Sequence, residues 1–156
     1  MFKNYERLIK VNIAPTLDTN PYADDDVLFT AAPCNNAIGL PGSTSRLHAI
    51  TIIDKDNTKQ AFRLLFFGDN VDVGNINEEL TISDEDIYKL TAYFDVDVSD
   101  YRTIGGKAIA FFGNLDIPLN CSPAHRHTYL AAKCEAVQTH TATGLTIILW
   151  VDWAKN

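Results

Sequence analysis

Residues 46–67 read RLHAITIIDKDNTKQAFRLLFF, and the reading of this stretch decides the fold class. Two runs rich in Ile, Leu, Phe and Ala flank a polar link, KDNTK at residues 55–59. Branched and aromatic side chains suit a pleated, half-buried surface, whereas Asp and Asn hydrogen-bond their own backbone in turns. The pattern predicts two antiparallel strands joined as a core hairpin. Alternation places Leu47, Ala49, Thr51 and Ile53 on one face and His48, Ile50, Ile52 and Asp54 on the other, so neither face is polar throughout. On the return run Phe62, Leu64 and Phe66 share a face, and Ala61, Leu65 and Phe67 share the other with Arg63 as its only charge. A sheet wet on one side alternates cleanly. The pair is therefore expected either at the centre of a sandwich or with its outer face covered by another part of the chain.

Outward from this stretch, residues 5–13 (YERLIKVNI) read as a first strand ended by Pro15, so residues 1–15 are expected as an N-terminal strand or arm before a single domain at 16–156. Residues 27–32 (VLFTAA) read as a second strand, broken by Pro33, Asn35 and Asn36. Residues 68–79 are polar and turn-rich. Ser83 as N-cap, Asp86 three residues on, and Ile87, Leu90 and Thr91 on a shared face predict one short helix from Ser83 to Leu90, then a strand near 91–98. KAIAFF at 107–112 is another strand, and residues 113–123, with Pro118 and Pro123, read mainly as loop. Residues 127–137 and 145–153 form a second hairpin candidate across QTHTATG, with Gly144 expected in the left-handed region. About seven to eight short strands and one short helix predict a mainly all-β fold, an antiparallel β-sandwich.

The 156 residues, 46% hydrophobic and 10% aromatic, suffice for one domain with a substantial core. No apolar run approaches the roughly 20 residues of a membrane helix, and MFKNYERLIK lacks the continuous apolar stretch of a secretory signal. Synthesis and retention in the cytoplasm are expected, unless an assembly carries the protein out. The net charge of −7 is uneven: residues 69–100 hold ten acids against Lys89 alone, a local charge of −9, and the remainder sums to +2. With no basic stripe, nucleic acid is not an expected partner, and a solvated acidic face is the simplest use of the segment. Cys34, Cys121 and Cys134 show no metal-ligand spacing and read as buried free thiols.

Candidate chemistry is sparse. His125 and His127 flank Arg126, and in a strand both imidazoles would point to one side, where His140 or Asp116 could complete a metal site. Asp24, Asp25 and Asp26, and separately Asp54, Asp56 and Asn57, carry the oxygen ligands calcium takes, but without the glycine and distal glutamate of an EF-hand loop; turn chemistry explains both. Ser122 lies near His125 in sequence, which has no catalytic meaning without a pocket. Tyr129, Trp150 and Trp153 could form part of a sugar-stacking platform, although Trp150 and Trp153 fall on opposite strand faces. With no nucleophile, metal-hydrolase or phosphate-loop motif, no catalytic, cofactor-binding or metal residue is assigned, and a non-enzymatic role is expected.

YADDDVLF at 22–29, DKD at 54–56 followed by LLFF at 64–67, ISDED at 82–86, YRTIGGKAIA at 101–110 and YLAA at 129–132 occur in an order that resembles a group of small β-rich structural proteins of tailed bacteriophages. The resemblance spans roughly residues 16–153, and its motifs are short and fold-related. It implies a virion component made in the bacterial host cytoplasm, foremost a capsid auxiliary or decoration protein whose partners are the major capsid protein and neighbouring virion subunits. A homo-oligomer is compatible with it, and neither nucleic acid nor membrane is implied as a partner. A tail or connector protein, or a glycan- or calcium-binding sandwich module, are the alternatives. In such an assembly an N-terminal arm could add to a neighbour's sheet, and His48, Arg63 and the DKDNTK tip could meet an adjacent subunit at the sandwich edge.

Overall fold

The runs of branched and aromatic residues become strands, and in the computed structural model, which describes residues 8–153, ten of them form two antiparallel sheets. Tyr5, Glu6 and Arg7, the start of the expected first strand, lie outside the described residues. The strands are β1 (Leu8–Ile13), β2 (Val27–Cys34), β3 (Thr44–Asp54), β4 (Phe62–Phe67), β5 (Leu90–Val96), β6 (Tyr101–Ile104), β7 (Lys107–Phe112), β8 (Ile117–Asn120), β9 (Thr128–Cys134) and β10 (Leu145–Trp153). One sheet runs β1-β10-β3-β7-β6, with β8 also on β3, and the other runs β2-β9-β4-β5. The fold is the expected antiparallel β-sandwich.

Neither expected hairpin forms. β3 and β4 lie in different sheets, as do β9 and β10, so both polar links carry the chain across the sandwich. The first crossing is built by Asp54, whose side chain is buried at the end of β3. Its Oδ1 accepts the N–H of Asp56 at 3.0 Å, and its Oδ2 accepts the N–H groups of Thr58 and Lys59, each at 2.8 Å, and the Thr58 hydroxyl. These bonds coil the link around one carboxylate, with Asn57 and Lys59 in the left-handed region at φ 55° and 56°. The second crossing leans on the first: Asp56 accepts the Thr141 N–H and hydroxyl, and the Gly144 carbonyl accepts the Lys55 N–H. Gly144 does not have the expected positive φ; its lack of a Cβ matters because one would overlap the Asp56 carboxylate.

The mixed faces of β3 have a local cause. Trp150 opposes Ala49 while Val151 opposes Leu47, so His48 is the extra residue of a bulge. Inward-facing positions therefore change phase along one strand, from Ser45 and Leu47 to Ile50, Ile52 and Asp54. The bulge also divides the partner edge, with Ile50 to Asp54 on β7 and Thr44 to Leu47 on β8. β8 forms in a stretch that read as loop, and its Pro118 sits on an outer strand, where a missing N–H is tolerated. β6 and β7 make the one short hairpin among the described residues, turned by Gly105 and Gly106 at φ 58° and 77°.

Phe62, Leu64 and Phe66 of β4 face Leu47, Ile50, Ile52, Leu149 and Val151 in the main core. Leu65 and Phe67 point the other way and are also buried, in a second cluster with Val27, Val71, Val73 and Ala131, against which Leu80 and Ile82 pack. The excursion at 68–82 thus lies over the outer face of the four-stranded sheet. Its Val71-Asp72-Val73 alternation puts valines inward and an acid outward. The helix expected from Ser83 to Leu90 is a single 3-10 turn, Asp86–Lys89, and Val98–Asp100 is another. The Ser83 hydroxyl accepts the Asp86 N–H at 3.0 Å, but the N-cap of the turn is Glu85, without a side-chain capping bond, rather than the expected Ser83. The turn goes no further because Leu90 begins β5, where pairing with β4 supplies the backbone bonds a longer helix would otherwise make.

Replacing Asp54 by Ala leaves three N–H groups and a hydroxyl without their acceptor, and we expect a loss of about 3 kcal/mol in urea unfolding. Phe66→Ala is expected to cost about 3–5 kcal/mol as a core deletion. A loss below about 0.5 kcal/mol for Asp54→Ala would show that the link holds its path without the carboxylate.

Candidate functional site

A group of polar and ionisable side chains gathers where the segment after β4, the 3-10 turn before β5 and the β8–β9 connection meet. A groove of about 240 Å³ there is lined by Asp69, Tyr88, Lys89, Thr91, Asn120 and Ser122, among others. His125 reaches the same place. Its Nδ1 accepts the His127 N–H at 3.1 Å, which leaves the proton on Nε2, facing Asp69 Oδ1 at 3.1 Å. The hydrogen bond from His125 is the main cause that holds Asp69 below the usual carboxylate range, with the Asn70 N–H adding to it. Ser122 Oγ accepts the Ala124 N–H at 3.1 Å. Both ring nitrogens of His125 are thus engaged away from Ser122, so these two side chains do not form a nucleophile–base pair. Two further groove groups are paired, Thr91 Oγ1 with Asn120 at 2.7 Å and Lys89 Nζ with Asp86 at 2.8 Å, while Tyr88 stands exposed.

The structure stacks the rings of His125 and His127, 5.6 Å apart and nearly parallel, so the two do share a side. It does not bring their expected co-ligands to them. His127 Nδ1 accepts the Asn36 N–H, Asp116 pairs with Arg46 at 3.2 Å, and His140 is buried against Tyr22 and Gln138. Among the described residues no three His, Cys, Asp or Glu side chains stand close enough to hold a metal ion.

The acidic triplet is divided between jobs as well. Asp26 is buried and accepts the Ala23 N–H, Asp25 pairs with Lys133, and Asp24 accepts the Asp25 N–H. Partial burial would raise the Asp56 pKa, but the bonds from Thr141 outweigh it and hold the carboxyl below its usual range. All three cysteines are free and buried, and burial raises the Cys34 thiol and lifts that of Cys134 to about 12.

Tyr129, Trp150 and Trp153 form no platform. Tyr129 lies on the four-stranded sheet beside His125, Trp153 donates to the Asn36 carbonyl under Arg126, and Trp150 lies on the outer face of the six-stranded sheet with Lys10 over its ring. Nor do His48 and Arg63 meet. They occupy different sheets, His48 facing Asp152 and Arg63 bonded to Asp95.

What the sequence reading missed is the outer face of the six-stranded sheet. The register places side by side Asn12, Ile148, Thr51 and Phe111 in one row, and Thr146, Ile53, Ile109 and Arg102 in the next. Trp150 and Ala49 precede them, and Lys107 and Ile104 follow. None of these side chains is buried, and Phe111 and Ile104 are 65% and 63% exposed. On the opposite sheet, residues 68–82 cover the part of the outer face around Leu65, Phe67 and Ala131, leaving Tyr93 and the Arg63–Asp95 pair exposed; this one has no such cover among the described residues. A signal was available, since Ile148, Trp150, Ile53 and Ile109 fall at outward positions, yet register alone says which positions those are.

No protein-family model matches the chain, and no curated protein matches it in sequence.

Two measurements test this account of the ionisable groups. Burial holds His140 below its ordinary value of 6.5, so the unfolded chain takes up that proton first as pH falls. Its contribution is fully present above 6.5 and declines as pH drops through that value. His140→Gln should therefore lose less stability than the parent between about pH 7.5 and 5.5, and equal pH slopes would contradict the assignment. Since the Asp54, Asp56 and Asp26 carboxylates already hold backbone donors, neither calcium nor EDTA should move the melting temperature. A rise with calcium would reveal a site.

Proposed function

We propose that this chain is a non-enzymatic virion structural protein of a tailed bacteriophage, and specifically a capsid auxiliary or decoration protein that binds and stabilises the head. The observation that carries the reading is the apolar face of the six-stranded sheet, uncovered among the described residues, on a domain where Asp26, Asp54, Asp56 and His125 hold its own loops. A protein that works by contact needs a complementary surface and no activated group. The face has the composition of an interface core, with Trp and Phe at its centre and Arg at its margin. The resemblance to small phage structural proteins supplies the context, with the major capsid protein and adjacent virion subunits as partners. The site of action is the virion, after synthesis in the host cytoplasm. Proteins of this kind stabilise a shell by repeating modest contacts over many copies.

Mass spectrometry of purified particles, with heads separated from tails, tests this directly. The chain should be recovered with the heads in many copies. Its absence from particles would overturn the proposal, and recovery only with tails would replace the head assignment by a tail or connector role. Turnover of a generic hydrolase substrate, abolished by one point change in the purified chain, would overturn the non-enzymatic reading.

A further inference from the structure

The two outer layers of the sandwich carry opposite chemistry. On the bare sheet, Trp150, Ile148, Ile53, Ile109 and Phe111 form the apolar centre, and Lys10, Lys55, Arg102 and Lys107 surround it. None of these four cations has a carboxylate within 4.0 Å among the described residues. Of the acids near that side, Asp116 and Asp152 face Arg46 and His48, and Asp56, which lies within range of the Lys107 charge, is bonded to Thr141. On the far side of the molecule, the excursion and the 3-10 turn expose Asp72, Glu78, Glu79, Asp84 and Glu85, with Lys89 tied to Asp86. Apolar groups stand among those acids, Ile87 at 44% and Tyr88 at 89% exposure.

We propose that copies of this chain associate head to tail, the bare sheet face of one seating on the acidic excursion of the next. A symmetric pairing of two bare faces would oppose two basic rims, and like charges brought together across an interface are unfavourable. The head-to-tail arrangement matches base to acid and gives Tyr88 and Ile87 an apolar surface to cover. Such a contact uses a different surface on each partner, so it either closes into a ring or continues as a chain. The inference concerns the isolated protein and does not rest on the virion reading.

Sedimentation velocity of the purified chain should show a mass that rises with concentration. A monomer at about 1 mM would overturn the proposal. Two charge-reversed chains test the polarity: Arg102→Glu with Lys107→Glu on the sheet face, and Asp84→Lys with Glu85→Lys on the excursion. All four positions are exposed, and circular dichroism checks that both chains fold. Each alone should lose association by tenfold or more, about 1.4 kcal/mol, and mixing them should restore it, because each then meets an opposite charge. Self-association of the excursion variant at the parental level would indicate a face-to-face contact and overturn the head-to-tail arrangement. So would failure of the mixture to associate. Phe111→Asp, at an exposed position, should weaken association to a similar extent, and an unchanged mass would remove the sheet face from the contact.

Discussion

A single buried carboxylate sets the path of the chain at its centre. Asp54 ends the longest strand, and by gathering the N–H groups of Asp56, Thr58 and Lys59 it turns what would be a hairpin link into a passage between sheets. Such a carboxylate is stable in the interior because donors surround it; without them its burial would be strongly unfavourable. The other crossing depends on the same feature. Thr141 binds Asp56, and Gly144 approaches so closely that no side chain fits there. Once both links cross, β3 and β10 become neighbours in one sheet while β4 and β9 become neighbours in the other. These two apolar pairs thereby face each other across one core.

From this follows the asymmetry of the two outer surfaces. β4 is apolar on both sides, so the four-stranded sheet needs a second cover, which Val71, Val73, Leu80 and Ile82 provide. The acids interspersed among those residues point to solvent and give that side its charge. The six-stranded sheet, with more strands and a similar excess of apolar outward positions, has no such layer among the described residues. Aggregation through its edges is moderated by familiar devices: β6 is short, β8 carries Pro118, and Lys10 lies along β1. The apolar face between those edges stays uncovered among the described residues.

The local signals for strands were strong, and the sandwich class followed from them. The puzzle of two apolar faces in residues 46–67 was legible too, and its answer combines both expected solutions: the pair lies centrally, in separate sheets, and β4 has a covered outer face. The Gly105-Gly106 turn was also visible, as two glycines between YRTI and KAIAFF. Less could be said of residues 68–82, where valines alternate with acids in a segment too polar overall to announce a covering layer. At the candidate site, the closeness of His125 and His127 was readable from their spacing. That Asp69 and the His127 N–H occupy the nitrogens of His125, and that His140 and Asp116 lie elsewhere, was not.

By itself the sequence determined which segments extend, which break, and where charge concentrates, because these depend on side-chain shape, turn chemistry and composition over a few neighbouring residues. Tertiary structure alone decided which strands pair, since a two-sided apolar strand is equally satisfied by several partners and only the whole core selects among them. It also placed the bulge at His48, which reverses the facing of half of β3. Whether a given isoleucine became core or surface rested on that long-range choice of register, and with it the sheet face left uncovered among the described residues.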